Sequence, residues 1–326
     1  MTNKKVLVLG GGGFIGANLV NRLKLEGNQV TSIDLQFPQY SNSLADEFII
    51  ADLRDDKVLL KTLDDSYDYV FQLAADMGGA GYIFTGENDA DIMASSSKIN
   101  LNLLGSVVQN KFKGTIFYAS SACIYPEYNQ LIPETPNCAE SSAYPAQPDS
   151  EYGWEKLFSE RLYLAFHRNY SINVRIGRFH NVFGPEGVFD GGKEKAPAAI
   201  CRKVIKAIDG ETIEIWGDGK QTRSFLYIDD CLDAIIQLIQ SDVLIPINIG
   251  SVEMVTINEL AQIAIDLSGK KIKLVHIKGP QGVRGRCSDN RIIKKALGWT
   301  PKHNLKDGMS ITYNWIEAKL KKLTYK

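Results

Sequence analysis

A chain of 326 residues with 44% hydrophobic and 23% charged side chains has the length to bury one large or two modest cores, which excludes the disordered and fibrous classes. A formal net charge of -1 supplies no global basic field for nucleic acid, so any anion site must be local. No apolar run approaches the ~20 residues that span a bilayer, and no signal-peptide pattern precedes Lys4-Lys5; a cytoplasmic protein without a membrane or nucleic-acid partner is expected.

The first half alternates β-rich apolar runs with helical patterns. A strand is predicted at Val6–Leu9, a helix through Ile15, Leu19 and Leu23, and further strands at Val30–Ile33, Phe48–Ile50, Tyr69–Leu73 and Thr115–Ala119. Such alternation predicts a parallel sheet flanked by helices, continuing through Asn173–Phe179. After Gly184-Pro185 the pattern shifts to glycine-rich loops and shorter strands, which predicts a smaller lobe, and Pro246–Gly250 reads as a strand able to return to the main sheet. The expected fold is a Rossmann-type doubly wound parallel α/β sheet with an interleaved C-terminal α/β lobe. Residues 1–180, with a return segment at about 225–251, would bind the cofactor, and residues 181–224 and 252–326 the substrate.

Directly after the first strand, Gly10-Gly11-Gly12-Gly13-Phe14-Ile15-Gly16 opens the first helical pattern. Glycines there permit a tight turn and close approach of a pyrophosphate to a helix N-terminus. The string fits both G-x-x-G-x-x-G and G-x-G-x-x-G, so its spelling leaves the register open; Gly10, Gly13, Phe14, Ile15 and Gly16 are the candidate contacts. Asp34 ends the second strand where a carboxylate accepts hydrogen bonds from the adenosine ribose and repels a 2'-phosphate, which predicts NAD over NADP. Asp52, followed by Leu53, is a candidate for the adenine end; an aspartate that starts a helix is the alternative.

Tyr152 and Lys156 stand four apart, on one helical face, behind Asp149 and Ser150, either of which can cap the helix. An ammonium beside a phenol favours the phenolate, so a tyrosine pKa below the usual ~10 is expected. Ser121 follows a strand, at the carboxyl edge where ligands of open α/β sheets collect. Through the glycine loop, Asp34, Ser121 and the Tyr152/Lys156 pair, the chain resembles the extended short-chain dehydrogenase/reductase family over almost its whole length. The resemblance implies that Tyr152 takes a proton from a sugar hydroxyl while hydride passes from carbon to NAD, and that Lys156 also binds the nicotinamide ribose.

The cysteines Cys123, Cys138, Cys201, Cys231 and Cys287 are odd in number, widely spaced and without a C-x-x-C pair, so free thiols and no metal site are expected. Cys123 stands two residues past Ser121, and the period of two in an extended strand end would aim both at one face. A thiolate there could remove the acidic hydrogens beside a 4-keto sugar; a small packing residue is the plainer alternative. Returning the proton to the opposite face needs a second carrier, for which Lys195 is the candidate, with a solvated loop lysine as the alternative.

Within the family, Ala74–Gly79, Ser120–Pro126, Gly177–Asn181, Glu194–Ala199, Gly217–Phe225 and Gly282–Arg286 resemble the GDP-mannose 3,5-epimerases. That resemblance makes Cys123 and Lys195 an acid/base pair. The implied cycle is oxidation at C4, epimerisation at C5 and C3, and return of the hydride. Lys203, Arg223, Arg284 and Arg286 become candidates for a sugar pyrophosphate, since guanidinium forks match phosphate oxygens, with Gln221 and Thr222 beside them. Gly78 would let the sugar approach the backbone, Asn181 would bond a sugar hydroxyl or orient Tyr152, and Ala122, Glu194 and Ala196 complete the substrate contacts, a GDP-sugar being favoured. A GDP-4-keto-6-deoxymannose epimerase-reductase, which pairs its cysteine with a histidine and consumes NADPH, is the nearest rival, and Lys195 and Asp34 argue against it. A catalytically silent NAD-binding scaffold is the reading from another class. The stretch Tyr82–Asp91 looks longer than the family's usual loop. Helical patterns around Ile92–Val108 and Tyr152–Arg168 carry Leu103, Val107, Leu162 and Phe166, from which the resemblance implies a homodimer; packing on the sheet is the alternative.

Overall fold

Each predicted strand of the first half becomes a strand of one sheet. In this computed structural model, which describes residues 1–280 and 282–324, the first half runs β1 (Lys5–Leu9), α1 (Phe14–Leu25), β2 (Gln29–Asp34), β3 (Glu47–Ile50), α2 (Asp56–Thr62), β4 (Tyr69–Gln72), the single turn α3 (Ala80–Ile83), α4 (Asp89–Gln109), β5 (Thr115–Ser121), α5 (Glu151–Tyr170) and β6 (Asn173–Phe179). The second half continues through β7 (Val182–Phe183), α6 (Ala196–Lys206), β8 (Thr212–Trp216), β9 (Thr222–Ser224), β10 (Leu226–Tyr227), α7 (Ile228–Ile239) and β11 (Ile247–Ile249). It closes with β12 (Met254–Thr256), α8 (Ile257–Ser268), β13 (Lys273–Ile277), β14 (Gly285–Arg286), α9 (Arg291–Leu297) and α10 (Leu305–Thr324). Seven parallel strands pair in the order β11-β6-β5-β4-β1-β2-β3, the expected doubly wound α/β sheet.

The period of two along β1 explains the two layers of core. Val6 and Val8 pack with Leu19, Val20 and Leu23 of α1 on one face, whereas Leu7 and Leu9 pack with Leu103, Leu104 and Val107 of α4 and Tyr163 of α5 on the other. Helices cover both faces, so β1 reads as an unbroken apolar run. The first cluster continues without a break into Ile200 and Val204 of α6, Leu260 and Ala264 of α8 and Ile316 of α10. The C-terminal helices therefore share the sheet's core.

The four residues expected at a dimer contact have another place. Leu103 and Val107 are fully buried in the second cluster and Leu162 and Phe166 pack against it, because their spacing turns them toward the sheet. The large apolar side chains that α4 and α5 leave exposed are Leu101, Val108, Trp154, Phe158 and Tyr170. Among the described residues no helix is long and apolar enough to cross a membrane, and no group of His, Cys, Asp and Glu side chains could hold a metal ion.

Two small pairings of the second half bear on the site. Strand β9 pairs antiparallel with β12 and parallel with β14, and the second pairing sets Arg223 opposite Arg286. Strand order reverses between β1 and β4, and the crevice outside such a switch point is where open α/β sheets bind ligands.

Candidate active site

The glycine loop fills that crevice from the β1 side. Gly10 has φ +91, and a Cβ on it would fall 2.7 Å from the Ala74 nitrogen at the end of β4; one on Gly16 would fall 2.0 Å from the Gly10 carbonyl oxygen. Both glycines are thus imposed by the chain's own packing. Gly13 is different, since its nearest protein atom would be 3.4 Å away. It starts α1 without a side-chain cap, which leaves the first-turn N–H groups, Phe14 to Gly16, without an intrahelical partner and suited to an anion.

Asp34 holds its carboxylate beside the loop, with Oδ2 accepting from the Gly12 N–H at 2.9 Å. Asp52 is gripped by the Arg54 guanidinium, Nη2 to Oδ2 at 2.7 Å, and this pairing lowers its pKa. It does not start a helix: Asp55 caps α2 by accepting from the Lys57 N–H at 3.0 Å. Asp52, Arg54, Lys98 and Asn102 line a cavity of about 650 Å³, and Leu53 is buried with its carbonyl accepting from Asn102 Nδ2 at 2.9 Å. The larger cavity, about 710 Å³, is lined by Cys138, Ser251, Cys287 and His303 among others and contains none of the candidate site residues.

At the carboxyl end of β5, α5 is pressed against the loop that carries Cys123. Ser150 caps α5 by accepting from the Gly153 N–H at 3.3 Å, and a Cβ on Gly153 would fall 2.2 Å from the Cys123 carbonyl oxygen. That contact brings Tyr152 to Ser121 and Cys123. Lys156, one turn on, is buried, donates from Nζ to the Ala119 carbonyl at 3.0 Å and lies 5.7 Å from the Tyr152 ring centre. The expected depression of the tyrosine pKa does not occur. Burial drives it above the ordinary value, Cys123 adds to the rise, and the Ser121 hydrogen bond opposes it. Burial also pulls Lys156 down, against Glu155 and Glu160.

Cys123 reaches Tyr152 by a route the strand period did not foresee. Residues Ala122–Ile124 form a 3-10 turn because the Ser121 hydroxyl accepts from the Cys123 N–H at 3.2 Å and caps it, so extended alternation ends at Ser121. Cys123 packs nonetheless with Tyr152, Ile83 and Ile92. Arg286 Nη1 donates to its sulfur at 3.0 Å, Nη2 to Asp149 at 3.0 Å and Nε to Gln130 at 2.6 Å. Burial alone would lower the Arg286 pKa, but Cys123 and Asp149 outweigh it and hold it above the usual arginine value. Burial and then the Arg286 charge push Arg223 down, to about 9. Arg286 is buried and Arg223 half-buried beside it, and Arg223 donates from Nη1 to the Thr222 carbonyl and from Nη2 to the Val283 carbonyl, each at 2.7 Å. Lys195 sits half-buried at the start of α6, its pKa lowered by burial and supported by Cys123 and Cys231.

Other candidates are engaged within the protein. Glu194 accepts from Arg202 Nη2 at 2.8 Å and from the Gly192 N–H at 2.6 Å, which shapes the loop leading to Lys195; Ala196 is the first residue of α6. Lys203 donates to the Glu214 carbonyl at 2.7 Å, and Arg284 forks onto Asp218 with two contacts of 3.0 Å on the surface. Asn181, at φ +44, donates to the Ser224 carbonyl at 3.0 Å, with no bond to Tyr152. Thr222 donates to the Pro133 carbonyl, and Gln221 to that of Trp216 at 3.1 Å, leaving its buried Oε1 without a protein partner. Ala122, the first residue of the 3-10 turn, is buried. Gly78 is a glycine for the chain's own sake, since a Cβ there would fall 2.6 Å from Tyr82 Cβ. Sequence reasoning missed Gln130 and Glu155. Glu155 is fully buried and accepts from Ser159 at 2.7 Å and Asn100 at 3.2 Å. Asp149 was visible only as a possible helix cap; Ser150 takes that role and frees Asp149 for Arg286.

The profile of the protein family described as the NAD dependent epimerase/dehydratase family matches residues 6–250, the glycine loop and the Tyr152/Lys156 pair included. The chain belongs to this family. Its description names NAD as the cofactor, and the uncapped start of α1, the open Gly13 and the Asp34 carboxylate fit that group. Among relatives of this NAD dependent epimerase/dehydratase, GDP-mannose 3,5-epimerase of Arabidopsis thaliana is 45% identical over 322 residues, 98% of this chain and 84% of that protein. The crystal structure of UDP-glucose 4-epimerase with UDP-glucose from Thermotoga maritima superimposes with a TM-score of 0.82 at 25% identity, covering 97% of this chain and 99% of that one. MoeE5 in complex with UDP-glucose and NAD gives a TM-score of 0.78 at 28% identity, with coverage of 97% and 99%.

Proposed function

We propose that this epimerase acts on GDP-mannose and inverts C3 and C5 through a transient 4-keto sugar. The observation that carries the reading is the packing of Cys123 against Tyr152, with Lys195 half-buried at the start of α6. A simple 4-epimerase has no use for that pair. The 45% identity to GDP-mannose 3,5-epimerase supports the choice of sugar and nucleotide.

NAD, held by the glycine loop and Asp34, supplies a hydride acceptor that can return what it takes. Tyr152 accepts the C4 hydroxyl proton, and the Ser121 hydroxyl, at the end of β5, orients the sugar hydroxyl. Having taken that proton, Tyr152 hands it back in the reverse step, when the hydride returns to C4. Once C4 is a carbonyl, the neighbouring C–H bonds are acidic because the carbanion delocalises as an enolate. Cys123 and Lys195 then remove a proton from one face and deliver one to the other, first at C5 and then at C3. Arg286 and Arg223 face the diphosphate, and Arg286 also keeps the Cys123 sulfur in place. In this reading residues 1–180 with the β11 return carry the cofactor, residues 181–224 and 252–326 carry the nucleotide sugar, the protein works in the cytoplasm, and two copies associate through the exposed Leu101, Val108, Trp154 and Phe158.

Purified protein incubated with GDP-mannose and no added reductant should yield GDP-hexoses inverted at C3 or C5, resolved by proton NMR. Recovery of GDP-mannose alone, from protein with bound NAD, would end this reading.

A further inference from the structure

The stretch from Gly78 to Phe84 lies outside the acid/base set yet touches most of it. Ile83 is buried in one cluster with Ile92 and Tyr152, against which Tyr82, Phe84 and Cys123 also pack. The Gly79 N–H donates to the Lys193 carbonyl at 3.1 Å, and a Cβ on Gly79 would fall 2.4 Å from the Glu194 carbonyl oxygen, so this backbone lies directly on the segment that delivers Lys195. Lys193 Nζ stands 4.0 Å over the Tyr82 ring, whose hydroxyl donates to Asp76 at 2.9 Å. Phe84 reaches the other side: its ring would lie 3.1 Å from a Cβ on Gly282, a position that is itself 3.5 Å from Arg223 Nη2.

From these contacts we infer that Ile83 and Phe84 form an apolar wall across the sugar site that retains the keto intermediate between the two inversions. The inference rests on the 3,5-epimerase reading. The requirement is chemical. A 4-keto sugar that leaves before its hydride returns is a lost product, and a sugar that stays must undergo two proton exchanges before re-reduction to be inverted twice. Apolar side chains over Tyr152 and Cys123 exclude water from the carbonyl and enolate. The same stretch meets the segment leading to Lys195 through Gly79 and the turn at Gly282, beside Arg223, through Phe84. Ile83 and Phe84 are positioning residues; neither offers a group that exchanges a proton.

The test compares wild type, Phe84→Ala and Phe84→Leu with GDP-mannose, hydroxylamine being present to trap any released ketone. Phe84→Ala should release trapped 4-keto sugar about tenfold more often per turnover, a change of the size one apolar contact makes in a dissociation constant. Its product should shift from doubly toward singly inverted sugar, and Phe84→Leu should restore both ratios. A merely structural role would lower all rates together and leave both ratios at their wild-type values, and that result overturns the inference. Should wild type itself produce no inverted sugar, the failure lies with the 3,5-epimerase reading.

Discussion

The two ends of this site are built differently. The cofactor end is written in consecutive residues: Gly10 to Gly16 form one strand-turn-helix, and Asp34 closes it from the next strand by accepting from the Gly12 N–H at 2.9 Å. The proposed acid/base end is assembled from distant segments, with Arg286 bonded to Cys123 from 163 residues away and to Asp149 from 137. A local device demands particular backbone shapes, and any protein that needs a dinucleotide can carry it. An assembled device depends on the whole fold and distinguishes one reaction from another.

Tyr152→Phe should show the largest effect, since positioned proton transfer contributes about 10²- to 10⁴-fold to a rate. All sugar turnover should fall by that range while NAD stays bound, as measured by product formation and by cofactor content. Full turnover in this variant would remove the tyrosine from the account. Next come Cys123→Ala and Lys195→Ala. Each should lose solvent exchange at C3 and C5 by ~10²-fold or more, with NAD again retained. Exchange that survives in either one would reduce the assembled end to a single proton carrier.

The cofactor end can be dissected by steric demand. Gly16→Ala forces a Cβ to 2.0 Å from the Gly10 carbonyl oxygen and should destabilise the protein by about 1–3 kcal/mol in denaturant melts. Gly13→Ala meets no protein atom closer than 3.4 Å and should leave stability nearly unchanged while weakening NAD binding. Equal losses of stability in both would show that Gly13 serves packing too.

His180 tests the hidden support of the assembled end. Burial pushes its pKa from 6.5 down to about 3, against a hydrogen bond with Asn248 at 2.9 Å, so it is neutral in the fold and gains a proton on unfolding in mild acid. Its contribution is therefore fully present above pH 6.5 and is lost as the pH falls toward about 3, at up to ~1.4 kcal/mol per pH unit. Urea melts should show this slope, and His180→Gln should flatten it. The smallest effect is expected from Arg284→Ala, because an exposed pair such as Arg284 with Asp218 contributes ~0–1 kcal/mol. A large rise in KM for the nucleotide sugar would instead restore Arg284 as a substrate contact.

What the sequence revealed follows the same division. Strands show as apolar runs because helices cover both faces of the sheet, and the glycine loop is legible because strand, turn and helix adjoin. Cys123 reaches the site shared with Ser121 as expected, but through a 3-10 turn that Ser121 caps, which a strand period cannot register. The Tyr152 pKa was misjudged because a four-residue spacing reveals the ammonium but not the burial that outweighs it. At the two long helices, apolar spacing marks a stripe but not which stripe meets the sheet, so Leu103 and Val107, expected at a dimer contact, lie in the core. Gln130 carries no local signature, and its bond to Arg286 exists only in the folded chain.

In the proposed cycle the oxidation at C4 is transient and serves to acidify C3 and C5. GDP-mannose carrying deuterium at C3, C4 and C5, turned over in ordinary water and read by NMR, tests it directly. Deuterium should wash out at C3 and C5 and stay at C4, carried off and returned as the same hydride. Loss of the label at C4, or its retention at both C3 and C5 in turned-over sugar, would contradict it.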